Sequence, residues 1–168
     1  MIRTLPLSKI LGIVTILALI ISCTKYADRD EGRYNCECGT MTWDGRELQM
    51  RMAEVVTSDS INFSYHIVAD LRSESQRDAG MAPKDIVIDF VLTYEEGENG
   101  LVLGVEDADF SIQEIQAPGT GFNWLFDQAT YDVEISESRH VFELIELTST
   151  RGNTTATATG LITFDLED

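Results

Sequence analysis

From about residue 36 onward, apolar and polar positions alternate along the chain with a period of two. That is the period of a strand with one face in a core and the other in water. The C-terminal stretch shows it best, with Ala156, Ala158, Gly160, Ile162, Phe164 and Leu166 on one face and Thr155, Thr157, Thr159, Thr163 and Asp165 on the other. Ile61, Phe63, Tyr65 and Ile67 oppose Asn62, Ser64 and His66, and Ile86, Ile88, Phe90, Leu92 and Tyr94 form a third apolar row. Further strands are expected over 38–43, 46–56, 101–105, 109–115, 129–136 and 140–148.

Turn chemistry punctuates these segments at 95–100, 117–121 and 151–153. Asp44-Gly45 carries the strongest hairpin signal, because that pair adopts the positive φ angles of a two-residue type I′ turn. Residues 70–84 (DLRSESQRDAGMAPK) fit neither period, and Gly80 and Pro83 stop any helix early. A short helix or a long crossover is expected there. As a long connection, it is a candidate for contact with a partner. The pattern as a whole predicts an all-β protein, an antiparallel β-sandwich of about eight or nine strands, with a small lipocalin-like barrel as the alternative. The Gly-x-Trp signature of lipocalins is absent, Gly39 and Trp43 being four positions apart.

The N-terminus follows another logic. Arg3 and Lys9 precede an apolar run from Ile10 to Ile21, within the roughly 7–15 residues of a secretory h-region and short of the ~20 needed to span a bilayer. Ile20-Ile21-Ser22-Cys23 resembles the lipobox of bacterial type II signal peptides. The resemblance implies cleavage before Cys23 and acylation of its thiol, so that the mature chain is held to the membrane by lipid. Residues 1–22 then form a signal peptide, 23–35 a polar lipidated tether and 36–168 a single domain. With an acidic tether followed by Cys-Gly-Thr-Met-Thr-Trp-Asp-Gly and a long β pattern, the layout resembles the small β-sandwich lipoproteins of unknown function found in Bacteroidota envelopes, which implies an outer-membrane location.

Charge narrows the partners. Loss of Arg3 and Lys9 with the leader leaves ten basic against 29 acidic side chains, a formal charge of −19. Without Lys/Arg clusters to displace counterions, nucleic acid is excluded as an expected partner. The membrane is reached through lipid, and a protein or glycan partner is the remaining class.

Candidate chemistry is sparse. His66 and His140 are the two histidines; neither sits in a nucleophile elbow, a phosphate loop or a HExxH pair, and both are expected at a solvated or hydrogen-bonded surface. No catalytic residue, metal site or cofactor is predicted. Cys36 and Cys38 can close a short disulfide, bridge to a partner, or contribute to a zinc site that would need both histidines. Asp89 with Asp107 as a glycosidase-like pair, and Glu106, Asp107 and Asp109 as calcium ligands, read better as ordinary acidic surface. Phe122, Trp124 and Phe126 would share one face of a strand and are the candidate ligand contacts, with core packing the competing role for Trp124 and for Trp43. The row Thr155, Thr157, Thr159 resembles the faces of ice-binding proteins, but a single β-branched strand face suffices to explain it.

Overall fold

A computed structural model describes residues 36–57, 62–93, 95–97, 100–102, 109–117, 119–136 and 138–166. The leader, the tether, Cys23, Glu106 and Asp107 lie outside the described residues. The strands are β1 (Gly39–Trp43), β2 (Arg46–Thr57), β3 (Asn62–Asp70), β4 (Lys84–Thr93), β5 (Glu95–Gly97), β6 (Gly100–Val102), β7 (Asp109–Gln116), β8 (Thr120–Ile135), β9 (Arg139–Arg151) and β10 (Thr154–Asp165), and the helix is α1 (Glu74–Asp78).

The all-β antiparallel expectation holds, but the two-sheet sandwich does not. Eight strands close into a barrel in the order β1-β10-β9-β8-β7-β4-β3-β2, while β5 and β6 pair with each other. Each barrel strand therefore pairs antiparallel with its neighbours in the chain, and β1 closes the circle against β10 over Gly39↔Ile162 to Trp43↔Ala158. Sequence alternation is the same in a sandwich and in a barrel. What distinguishes them is the pairing of the first strand with the last, a contact between residues more than 100 apart.

Four register shifts let the strands curve, one of them in the β8–β9 ladder between Thr130 and Tyr131. β2 shifts between Met50 and Met52, β8 between Phe126 and Gln128, and the β9–β10 ladder between Ala158 and Gly160. A bulge adds one residue and so exchanges the inward and outward parity of the residues beyond it. In β8 the inward set passes from Phe122, Trp124 and Phe126 to Ala129, Tyr131, Val133 and Ile135. This explains why alternation marks 122–126 and 129–136 as separate segments where one 16-residue strand runs.

Inward positions are filled with apolar side chains. Met41, Ile67, Ile86, Leu92, Leu147, Phe142, Ile162 and Phe164 are fully buried. Ring centroids form a continuous series, Phe126–Phe110 at 4.9 Å, Phe110–Phe90 at 5.0 Å, Phe90–Tyr65 at 4.7 Å and Tyr65–Phe164 at 4.9 Å, with Phe142 4.6 Å from Phe90. Bulky rings are what an eight-stranded bore needs if side chains alone are to fill it. The outward face carries Glu47, Glu54, Asp132, Glu134 and Glu143, the reverse of a membrane-spanning barrel, whose outer band is apolar. No described helix is long and apolar enough to cross a membrane.

Asp44-Gly45 forms the predicted turn, with φ of 52° and 71°. Asp44 is further fixed to β10, its Oδ1 accepting from Thr157 N at 2.9 Å. Two glycines permit closure of the β1–β10 seam. A Cβ on Gly39, where φ is +117°, would lie 2.0 Å from Leu161 O, and one on Gly160 would lie 2.7 Å from Thr40 O. Gly39→Ala is expected to cost about 1–3 kcal/mol, read as a lower urea midpoint with the slope unchanged; an unaltered midpoint would show that the seam tolerates a side chain there.

Candidate functional site

Antiparallel order divides the loops between two ends. The turns at 44–45, at 117 and 119, and at 152–153 share one end with the 71–83 connection and α1, and the chain enters β1 at the opposite end. Seven basic residues occur in 36–168, and all but Arg139 belong to the α1 end: Arg46, Arg51, Arg72, Arg77, Lys84 and Arg151. The acidic excess is thus interrupted at one place.

On the outer side there, Asp70 is 1% exposed and lies between two buried guanidinium groups. Arg51 Nη2 is 2.7 Å and Arg72 Nη2 2.8 Å from Asp70 Oδ2, and Arg72 N donates to Asp70 Oδ1 at 2.8 Å. Arg51 Nε reaches Asp85 Oδ1 at 2.9 Å. Burial pushes the Asp70 carboxyl up, but hydrogen bonds from Arg72 and the charges of Arg51 and Arg72 outweigh it and hold the group below the ordinary carboxylate range. The arginines also bind the connection: Arg46 Nη2 donates to Leu71 O, Arg72 Nη1 to Met81 O at 2.6 Å and Arg77 Nη1 to Arg72 O at 2.8 Å. α1 starts with a capping box in which Gln76 N donates to Ser73 Oγ and Ser73 N to Gln76 Oε1. The 70–84 segment is a short helix in a pinned connection.

Inside the barrel mouth, Glu114 occupies the inward position after Phe110 and Ile112 and is 3% exposed. Lys84 Nζ lies 3.0 Å and Arg151 Nη1 2.9 Å from its oxygens, and Gln116 Nε2 donates at 2.8 Å. Burial would raise its pKa; Gln116, Lys84 and Arg151 more than offset that and lower it. Arg151 also stands over the rings of Trp124 at 4.7 Å and Phe122 at 5.1 Å, a cation–π arrangement. Trp124 Nε1 and Ser149 Oγ are buried behind it with no hydrogen-bond partner among the described residues.

The three aromatic candidates therefore separate. Trp124 is 7% exposed and packs edge-on against Trp43 at 5.3 Å, so both tryptophans belong to the core. Phe122 remains 40% exposed at the mouth, and Phe126 is 36% exposed and stacks on Phe110. His66 is half-buried on the outer face with Nδ1 2.5 Å from Asp89 Oδ1. It lines a depression of about 320 Å³ with Ser64, Ser111 and Asp109. In register the row reads His66, Asp89, Ser111, which places the carboxylate between serine and imidazole instead of the imidazole in the middle, as nucleophile activation requires.

The surface expectation for His140 is corrected. It is 1% exposed inside the barrel, its Nδ1 2.8 Å from Tyr65 Oη, and burial lowers its pKa. Its strand begins in phase with Phe142 and Leu144, which turns it inward. Cys36 and Cys38 are joined as a disulfide, and no group of three or more metal-ligating side chains occurs among the described residues. The threonine row extends across strands, Thr159 pairing with Thr42 and Thr157 and Thr155 with Thr148 and Thr150.

No protein family, curated protein or solved structure matches the chain. The geometry carries the reading.

The two ion clusters were the features that alternation alone passed over. Glu114 in an inward register and Arg151 in phase with Leu147 and Ser149 were the available signals, since a charge on a core face requires a buried partner. Asp70→Asn keeps the shape of the outer cluster but withdraws charge from two arginines that are 7% and 8% exposed. It should destabilise the protein by about 3 kcal/mol in urea unfolding; a loss below about 1 kcal/mol would mean that the Asp70 charge is not what holds the two arginines in place.

Proposed function

We propose that this chain is a lipid-anchored, non-catalytic module of the outer-membrane envelope, tethered through Cys23, which meets a partner at the α1 end of its barrel. The leader and the Ile-Ile-Ser-Cys sequence support the anchor. The topology supports the polarity: β1 begins at the end opposite α1, so the chain enters the barrel away from the α1 end. Residues 23–35 then act as a polar spacer between lipid and barrel.

The observation that carries the reading is the filled bore. A lipocalin-like carrier needs an apolar cavity, and the barrel closure favours that alternative. The ring series from Phe126 through Phe90 to Phe164, at centroid spacings of 4.7 to 5.0 Å, supports the packed scaffold in its place. In a scaffold of this kind, recognition falls to rims and connections. The exposed rings and charges of the α1 rim, Phe122, Lys84 and Arg151, are the groups available.

Acylation is tested by feeding cells radiolabelled palmitate. Wild-type protein should be labelled and sediment with membranes, whereas Cys23→Ala should lose the label and be released from the washed membrane fraction. Label retained by the Cys23→Ala chain would overturn the anchor.

A further inference from the structure

A second pocket, of about 220 Å³, opens between the 71–83 connection and the ends of β4 and β7. It is lined by Arg72, Gln76, Lys84 and Gln116 with Met81, Ala82, Pro83 and Ala117. Among the described residues, no carboxylate lines it. The acids of α1, Glu74 and Asp78, are exposed to water and stand outside the lining. From these features we infer that the pocket binds a small organic carboxylate, an inference that rests on the reading of the α1 end as the recognition end.

Charge sets the valence of the ligand. Asp70 and Asp85 balance Arg51 and Arg72. Glu114 faces both Lys84 and Arg151, so this second cluster carries one positive charge in excess. A monoanion neutralises that excess, whereas a dianionic phosphate would overshoot it in a partly desolvated place. Lys84 is the cation free to deliver the charge, being 41% exposed with one bond to Glu114, so its remaining N–H groups can turn to the pocket.

Hydrogen bonding sets the polarity. The Gln76 carbonyl oxygen is engaged by Ser73 N, which leaves the Gln76 Nε2 donors for the pocket. Gln116 spends one Nε2 donor on Glu114 and keeps the other. A carboxylate accepts from Lys84 and both amides, as an acceptor-only group suits a donor-rich wall. Met81, Ala82, Pro83 and Ala117 supply the wall against which an apolar body can be buried.

The probe pair is benzoate and its neutral counterpart benzamide, titrated into the full-length chain in detergent micelles. The readout is the side-chain amide resonances of Gln76 and Gln116. Benzoate should shift both saturably, with benzamide about tenfold weaker, the equivalent of ~1.4 kcal/mol. Gln76→Glu retains the capping box, since glutamate also accepts from Ser73 N, yet adds a negative charge to the pocket. It should weaken benzoate about tenfold at an unchanged melting temperature. Equal binding of benzamide, tighter binding of inorganic phosphate, unresponsive amides, or a Gln76→Glu chain with full affinity would each overturn the site. The titration uses a chain already in micelles, so its failure is separate from a failure of acylation at Cys23, which membrane release reports.

Discussion

Closing eight strands on themselves creates a bore that must be filled, and the rest of this molecule depends on how it is filled. In an open sheet, an inward side chain can be shared with a second layer. Here the inward faces meet one another across the axis, so volume has to come from large residues on alternate positions. Tyr65, Phe90, Phe110, Phe142 and Phe164 provide it as a contiguous set of rings. Small residues answer them elsewhere: Ala156 and Ala158 face inward on β10, and Gly160 lets β1 approach closely.

The same closure explains where the charges went. At the α1 end the apolar filling stops, and the inward register continues for one or two residues into Lys84, Glu114 and Arg151. These cannot point at the core uncompensated, so they pair with each other, and Arg151 covers the tryptophan and phenylalanine rings beneath it. On the outer side, Asp70 gathers Arg51 and Arg72, and the arginines in turn hold the carbonyls of the connection. A segment without hydrophobic periodicity thereby acquires a defined position, and with it a pocket whose wall is rich in donors.

Much of this was legible in the sequence. The inward sets of β3, β4 and β10 were read residue by residue, as was the Asp44-Gly45 turn, because each depends on local alternation or local φ preference. The closed topology was not, since alternation does not say that Gly39 pairs with Ile162. Bulges defeated the reading where they reverse parity, above all in β8, and the inward register of His140 was hidden at a strand start. Among the candidate site residues, Phe122 and Trp124 were correctly placed on one face, yet their fates differ because a neighbouring tryptophan buries one and leaves the other at the rim. The arginine and glutamate clusters join residues from distant strands, and no spacing rule announces them.

The central claim is that the barrel is a solid scaffold that offers its rim, and it is tested most directly by titrating a fluorescent long-chain fatty acid into the folded protein. Energy transfer from Trp43 and Trp124, both inward near the α1 end, reports any probe in the bore. A filled interior predicts no saturable transfer. Saturable one-to-one transfer would contradict the account, because it would require the ring series to part and admit a ligand.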